Sequence, residues 1–325
     1  MHIGAKIAVL TCLSGVIVSY AQPNVLSLNP TSNFNLSQIV ARPSWSSFTV
    51  REMKVSAGTT WFLIASKASP SGFALISVKN GKLLTFTEAP PEVKQAAALT
   101  PTARGVATVL LKAGSSGKLT NFLTEFDPSG NMLQSTPMQC SWMGGLLSIG
   151  GKPSAICPNG VITTYPSGTQ VQSWVRPGAL AEVLSNGSLV IIDQATGQTI
   201  LNDPVRALVS TVNATSPEIQ EALGMAQVQT QAAARIAKSG SGAQPGRSIV
   251  VMDTASDASG WYALIWPYKS SVGPAVSKFD YSGRLVSRLQ LQVPAAMPGL
   301  SQIESTGSKI ILGSIGGDVL TYDLP

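Results

Sequence analysis

Histidine is almost absent from this chain, and this restricts the chemistry that the chain can perform. The only histidine among 325 residues is His2, which lies in an N-terminal segment that we expect to be cleaved. Without an imidazole, Ser-His-Asp and Cys-His nucleophilic schemes and zinc sites with histidine ligands are excluded. The remaining candidates for chemistry are aromatic, acidic and cysteine side chains.

Four aromatic residues within eight positions form the first candidate binding site, Trp261, Tyr262, Trp266 and Tyr268. Strand alternation places Tyr262, Trp266 and Tyr268 on one side and Trp261 on the other. Such rings could form a platform for sugars. The alternative, which we favour, is that they pack in the core of the protein.

A second candidate is an oxygen-rich segment, residues 253–260, in which Asp253 and Asp257 could bind calcium. Their spacing differs from that of an EF-hand loop, so a solvated hairpin loop is the favoured alternative. Other carboxylates, such as Glu125, Glu182 and Glu304, are scattered along the chain. A glycosidase pair is therefore neither supported nor excluded.

Residues 115–118 match the Ser-x-x-Lys pattern of penicillin-binding proteins, with Ser115 and Lys118 at its ends. They fall in a Gly/Ser turn between strands, whereas the motif needs a helix start, so we attribute the match to chance. We predict no catalytic residue and no cofactor.

The cysteines Cys140 and Cys157 are expected to form a disulfide, because a pair 17 positions apart in an oxidising compartment most simply bridges. Closing a loop of this size stabilises a fold by about 3 kcal/mol in the chain-entropy model. No C-x-x-C motif is present, so a redox role is the minor alternative.

Residues 1–21 have the pattern of a signal peptide. Lys6 precedes an apolar run at 7–18, and a small-x-small cleavage site ends at Ala21. The run is too short for a stable membrane span. Cys12 follows Thr11, which disfavours a lipoprotein. We therefore predict a secreted or periplasmic protein with no stable membrane span after cleavage.

The composition also suits an exported protein and gives no indication of nucleic-acid binding. Charged residues make up only 12% of the chain, whereas 44% are hydrophobic, enough for a sizeable core. The formal charge of +6 is spread along the chain without a basic run. Because nucleic-acid binding requires a clustered basic stripe, we predict no such partner.

Short strand–turn–strand phrases recur through the chain, at residues 78–84, 126–133, 165–171, 192–200 and 278–286. Asp or Asn, Pro and Gly supply the turn in each of them. The phrases predict an all-β fold of successive antiparallel meanders, about six blades of a β-propeller. A helix at about 217–238 interrupts them, within an insertion at 213–243. We expect this helix to lie across the propeller face or a blade edge, with a lid or docking helix as the alternative.

The last repeat lacks its outer strand, and the segment between Val25 and Val40 has no blade of its own. Pairing the two chain ends would close the ring and remove an exposed, apolar strand edge. We therefore predict one propeller domain over residues 22–325 in which both termini share a blade.

The hairpins at 126–133, 192–200 and 279–286 share the order apolar, Asp, x, x, Gly, polar, aliphatic, and on this basis the chain resembles secreted bacterial β-propellers of the NHL and quinoprotein-like kind. It lacks the Trp-Asp dipeptides of WD40 blades, the paired glycines of kelch blades and the tryptophan docking motifs of quinone-binding members. The resemblance therefore implies a fold rather than an activity.

Two functions from different classes follow from this fold. The first is a non-catalytic binding or scaffold module for protein or glycan at the cell envelope or outside the cell. The alternative is an extracellular hydrolase or lyase that acts on a sugar or lactone through carboxylates at the central channel. Acidic and basic side chains gathered at the channel would favour an enzyme, whereas Ser, Thr and apolar side chains would favour a scaffold.

Overall fold

A computed structural model describes residues 24–325, except 68–71, 115–116, 141–144, 159, 174, 176–177, 204–207, 213, 239–248, 266–273 and 295–298. The predicted signal peptide, Trp266, Tyr268 and Ser115 therefore lie outside the described residues.

The described residues form six β-sheets, each built around an antiparallel meander and here called blades 1 to 6. The chain begins with β1 (Asn24–Leu28), β2 (Ser32–Asn35), the one-turn helix α1 (Leu36–Ile39) and a 3-10 turn (Pro43–Trp45). Blade 1 contains β3 (Phe48–Ser56), β4 (Thr59–Ser66), β5 (Phe73–Lys79) and β6 (Lys82–Glu88). Blade 2 contains β7 (Val93–Thr102), β8 (Gly105–Ala113), β9 (Leu119–Phe126) and β10 (Met132–Pro137). Blade 3 contains β11 (Leu146–Ile149), β12 (Lys152–Ile156), β13 (Val161–Thr164) and β14 (Thr169–Gln172).

The second half of the chain repeats this order with one helix inserted. Blade 4 contains β15 (Ala179–Val183), β16 (Leu189–Asp193), β17 (Thr199–Asp203) and β18 (Leu208–Val212), and α2 (Pro217–Lys238) follows it. Blade 5 contains β19 (Val251–Asp257), β20 (Gly260–Ile265), β21 (Ala275–Phe279) and β22 (Leu285–Leu291). Blade 6 contains β23 (Leu300–Ser305), β24 (Lys309–Ser314) and β25 (Asp318–Asp323).

The two ends of the chain close the ring, as predicted. Strand β2 pairs antiparallel with β25, with Phe34 opposite Val319, and so becomes the outer strand of blade 6. Strand β1 adds to the neighbouring blade 5 by pairing parallel with β22, with Leu26 opposite Leu289. The parallel pair was not predicted. Within the segment between Val25 and Val40, strand β2 ends at Asn35, because the Asn35 side chain accepts a hydrogen bond from Ser37 N (2.8 Å) and caps α1.

The first strand of each blade lines the centre of the ring. These inner strands contact one another in the order β3, β7, β11, β15, β19 and β23, and β23 contacts β3. Large apolar side chains fill the spaces between blades: one cluster contains Trp261 and Phe279, and another contains Tyr262 and Tyr322. The fold is a closed six-bladed β-propeller with one inserted helix.

Helix α2 packs its first turns against blades 4 and 5. Ile219 and Ala222 are buried in the same cluster as Trp261. The hydroxyl of Ser216 accepts a hydrogen bond from Ile219 N (3.2 Å) and thereby caps the helix. Glu218 accepts a hydrogen bond from Arg288 Nε of β22 (2.6 Å). The N-terminal half of the helix is therefore fixed to blade 5.

The predicted disulfide is present between Cys140 and Cys157. Cys157 directly follows β12 and is buried, whereas Cys140 belongs to the connection between blades 2 and 3. The bridge therefore fastens this connection to blade 3, whose four strands are only four or five residues long.

Candidate ligand site in the central channel

A cavity of about 360 Å³ lies at the centre of the ring, between the inner strands of blades 1, 3, 4 and 5. Its charged lining consists of Glu52, Lys54, Glu182 and Asp253. Apolar side chains such as Leu146 complete the wall on the side of blade 3. The cavity is therefore a polar chamber with an apolar side.

β-Bulges in the inner strands help to orient the acidic side chains. The strand register shifts between Val50 and Glu52 in β3, and it shifts in the same way between Val251 and Asp253 in β19. A bulge places one extra residue in a strand and re-aims the side chains that follow it. Glu52 and Asp253 are the first residues after these two bulges, and both line the cavity.

Lys54 forms the centre of the charge cluster. Its Nζ lies 2.8 Å from Oε1 of Glu304, which projects from β23 of blade 6. The two side chains are only 15% and 11% exposed. The pair thus joins blade 6 to blade 1 across the closure of the ring.

The carboxylates differ in how many hydrogen bonds they accept. Oδ2 of Asp253 accepts one from Ile303 N (2.9 Å), and Oε1 of Glu182 accepts one from the Ser256 hydroxyl (2.8 Å). Among the described residues, no hydrogen bond reaches the carboxyl group of Glu52. Glu52 is therefore an unpartnered carboxyl group that faces a cavity.

Burial changes the ionisation of the whole cluster. It raises the pKa of Glu52 and of Glu182 to about 7, and it also raises the pKa of Asp253 and Glu304. Burial opposes the charge on Lys54 as well, but the surrounding carboxylates, led by Glu304, hold the pKa of Lys54 well above its usual range. Near neutral pH the chamber therefore keeps one positive charge and an excess of acidic groups.

The cluster does not form a ready-made metal site. Within the described parts of the chain, no three His, Cys, Asp or Glu side chains are arranged to hold a metal ion. Among the described residues, the one cation that lines the chamber is the ammonium group of Lys54, which lies among the acidic groups. What the arrangement can do is accept hydrogen bonds, attract positive charge and, through Glu52 and Glu182, exchange protons near pH 7.

The predicted aromatic site is not exposed where the structure describes it. Trp261 and Tyr262 are 1% and 0% exposed, and they point to opposite sides of β20 as strand alternation predicted. Trp261 stacks on Phe279 with ring centroids 4.3 Å apart. These two residues belong to the packing between blades.

The two aspartates predicted as calcium ligands lie apart. Asp253 faces the channel, whereas Asp257, four residues further along β19, lies about 13 Å away at the usual rise of a strand. Asp257 accepts hydrogen bonds from Ser259 N (2.6 Å) and from the Tyr262 hydroxyl. Burial alone would raise the pKa of Asp257, but these hydrogen bonds hold it below its usual value.

The scattered carboxylates divide into two kinds. Glu182 and Glu304 belong to the channel cluster. Glu125 lies in blade 2 instead, where it pairs with Arg104 and accepts hydrogen bonds from Thr102 Oγ1 (2.8 Å) and Gln134 Nε2 (3.1 Å). Its bonding is internal to blade 2, which indicates a structural role.

Glu52 and Lys54 were missed by the sequence analysis, because β3 itself was not predicted. Val50 and Met53 are both buried although they are three positions apart, since the bulge shifts the alternation by one residue. A search that allows one slip in the period-two pattern would have found this strand.

No protein-family model matches the chain, and no curated protein matches it. Among solved structures, a chain from a mitotic checkpoint complex superposes with a TM-score of 0.53 at 9% identity, covering 99% of both chains. A virginiamycin B lyase from Staphylococcus aureus gives a TM-score of 0.49 at 10% identity, covering 90% of this chain and 99% of the other. BamB from Moraxella catarrhalis gives 0.43 at 12% identity, covering 91% and 100%. At such low identity the likeness shows the propeller fold alone.

No helix in the described part of the chain combines the length and the apolar character that a membrane crossing requires.

Proposed function

We propose that this chain is an exported binding propeller that holds a polar group of a glycan of the cell envelope in its central channel. The proposal is carried by one observation, the unpartnered carboxyl group of Glu52 in a cavity of about 360 Å³. Glu52 is half-buried, and its carboxyl oxygens have no hydrogen-bond partner among the described residues. A ligand hydroxyl or amine would supply the missing partner.

The size and lining of the chamber support a small polar ligand. Ligand sites commonly measure about 300–1,000 Å³, so this chamber is large enough for one sugar-sized group rather than a folded partner. Glu52, Glu182 and Asp253 offer acceptors for hydroxyl groups, and the apolar wall around Leu146 offers a surface for the face of a sugar ring. A glycan is therefore a better match than a protein surface.

A second function, hydrolysis or elimination on a sugar or lactone, is favoured by the ionisation of the same residues. A general acid works best when its pKa lies near the working pH, and Glu52 and Glu182 have a pKa of about 7. Binding remains our first proposal because Lys54 is already paired with Glu304, which leaves no free cation among the cluster residues to stabilise a developing negative charge.

The test is thermal stabilisation of the secreted protein by a panel of sugars and envelope glycans, with Glu52→Gln as the variant. Wild type should gain thermal stability with at least one member of the panel, and Glu52→Gln should lose most of that gain. Glu92→Gln is a matched control, because Glu92 is exposed and does not line the cavity. Equal responses in wild type and Glu52→Gln would contradict the channel as the site. Consumption of a sugar during incubation would select the enzymatic alternative.

A further inference from the structure

The chamber has a deficit of positive charge. Glu52, Glu182, Asp253 and Glu304 surround Lys54, and all four attract its ammonium group. Of these carboxylates only Glu304 makes an ion pair with Lys54 within 4 Å, at 2.8 Å. The inner strands of blades 2 and 3 bring no charged side chain into this chamber among the described residues. One ammonium group is therefore set against four acidic groups.

The acidic groups surround the void instead of sharing one wall. Glu52 lies on blade 1 and Glu182 on blade 4, so they face each other across a six-bladed ring, and Asp253 comes from blade 5 between them. Lys54 is drawn toward Glu304 of blade 6. Among the residues that the structure describes, the side of the chamber bounded by Glu52, Glu182 and Asp253 thus has acceptors and no cation of its own.

We infer that the ligand group held in this channel carries a compact positive charge, a protonated primary amine such as that of an amino sugar, which lies among Glu52, Glu182 and Asp253. This inference rests on the proposed function, because it names the chemical class of the group that the same cavity receives. An ammonium group has three N–H donors and no acceptor. It therefore matches the three carboxyl groups on that side, which can accept its hydrogen bonds.

Neutral sugars match the site less well. A hydroxyl group can satisfy one carboxylate oxygen, but it adds no charge to balance the others, and buried like charges disfavour one another. An N-acetylated amine loses its charge and gains a carbonyl acceptor, which would face carboxylates. The site should therefore bind a sugar with a free amine more tightly than a neutral sugar or an N-acetylated sugar.

Binding should also depend on pH. A cation binds best when the carboxyl groups are ionised, and burial holds the pKa of Glu52 and Glu182 near 7. Asp253 and Lys54 also line the chamber, Glu304 pairs with Lys54, and the pKa of each of these three groups is raised. Affinity for the amine should therefore rise between pH 6 and pH 8 for as long as the ligand amine stays protonated.

The experiment is isothermal titration of the secreted protein at pH 7 with glucosamine, N-acetylglucosamine and glucose. We expect glucosamine to bind at least tenfold more tightly than the other two. Glu52→Gln and Glu182→Gln should each reduce this ratio at least fivefold, whereas Glu92→Gln should leave it unchanged. Circular dichroism confirms that each variant retains its β structure. Two independent channel variants keep the test decisive if one of them fails to fold.

The outcomes separate the two proposals. Equal affinity for the three sugars, abolished by Glu52→Gln, would overturn the inference of a cationic ligand and leave a glycan-binding channel. Absence of binding for all three would overturn both. Calcium chloride serves as a fourth ligand, and binding of calcium without any sugar would show that the chamber takes a metal ion and would overturn the amine.

Discussion

The two sides of the propeller ring are held together by different interactions. On one side, blades 4, 5, 6 and 1 are linked around the channel by charged and polar side chains: Ser256 to Glu182, Asp253 to Ile303 N, and Lys54 to Glu304. On the other side, blades 1, 2 and 3 are linked by neutral hydrogen bonds between residues that do not line the cavity. Thr87 Oγ1 donates to Gly130 O (2.9 Å), and Ala103 N donates to Gly151 O (2.8 Å).

This difference shows that some inner strands of the propeller serve mainly for packing, whereas others carry the charged groups of the channel. The inner strands β7 and β11 place Ala96, Leu99 and Leu147 in the inter-blade core, whereas β3, β15, β19 and β23 use comparable positions for acidic groups. The chain as a whole carries a formal charge of +6, yet its channel is acidic. Concentrating negative charge inside a basic protein is costly for stability, which supports a functional use.

The largest effect should come from opening the ring, which tests whether the two sides depend on each other. Truncation after Gly316 removes β25, including the buried Val319, Leu320 and Tyr322, and it leaves β2 without its partner. In a closed ring every blade packs against two neighbours, so the truncation should also reduce the hydrogen-exchange protection of blades 2 and 3. Hydrogen exchange monitored by mass spectrometry measures this. Blades 2 and 3 that kept full protection would show that the two sides fold independently.

Removal of the lysine should have the next largest effect, and only on the charged side. Lys54→Met leaves the buried carboxylates uncompensated, and breaking a buried ion pair costs about 3–5 kcal/mol. The matched control is Lys112→Met in blade 2, where Lys112 lies 5.0 Å from the Phe122 ring and is partly exposed; we expect a loss of about 1 kcal/mol or less there. Chemical denaturation at pH 8 measures both.

The same pair of variants has a pH signature. At pH 5, Glu52 and Glu182 are largely protonated in the folded protein because their pKa is about 7. Fewer negative charges then remain uncompensated, so the loss caused by Lys54→Met should shrink at pH 5. The loss caused by Lys112→Met should not change. An undiminished Lys54→Met effect at pH 5 would show that packing, rather than charge, determines it.

The neutral side should respond to loss of its disulfide with no dependence on pH. Replacing both Cys140 and Cys157 by Ser removes a 17-residue loop closure, at a cost of about 3 kcal/mol in the chain-entropy model. Since bridged cysteines do not titrate, the loss should be equal at pH 5 and pH 8. Thiol labelling of native wild-type protein is the control. Two alkylatable cysteines there would contradict the bridge.

The smallest effects should come from neutralising single carboxyl groups, and they should differ in sign between the two sides. The pKa of Glu182 is raised from 4.5 to about 7 in the folded protein. The protonated carboxyl group of Glu182 therefore contributes fully to the stability of the fold below pH 4.5, and this contribution is lost as pH rises through 7. Glu182→Gln should thus make the protein more stable than wild type at pH 8, by about 1–3 kcal/mol, with little difference at pH 5.

Glu125→Gln on the neutral side is the counterpart. Glu125 accepts hydrogen bonds from Thr102, Arg104 and Gln134, so loss of its charge should destabilise the protein by about 1–2 kcal/mol at pH 8. Unfolding in denaturant at the two pH values measures both variants. Destabilisation of the same size by both would contradict the division of the ring into a charged and a neutral side.

Local sequence patterns predicted most of the outer architecture. The turn phrase at 278–286 places Asp280 where its Oδ1 accepts hydrogen bonds from Ser282 N (2.9 Å) and Arg284 N (3.0 Å), and Gly283 has a positive φ of 83°. Such turns depend on a few adjacent residues, so the sequence alone is enough to find them. Helix α2 was predicted at the correct position for the same reason.

The sequence did not predict the strands β1, β3, β7, β18 and β23. Three of them, β3, β7 and β23, contain bulges, which break the period-two alternation on which strand prediction depends. The missed inner strands carry Glu52, Lys54 and Glu304, so most of the channel cluster could not be placed. Trp261 and Tyr262 are buried, in agreement with the core packing that the sequence favoured, but the blades that cover them could not be named from a local pattern.

The amino-acid sequence by itself determined the hairpins, the inserted helix, the disulfide and the need to pair the two chain ends, because each follows from local turn chemistry, helical periodicity, cysteine count or an apolar edge that needs a partner. Only the tertiary structure decided that Glu52, Glu182, Asp253 and Glu304 surround Lys54. These residues come from four inner strands spread over more than 250 positions of the chain. These residues come together because the ring closes and because bulges in β3 and β19 turn Glu52 and Asp253 toward the channel. Neither feature can be recognised from a short stretch of residues.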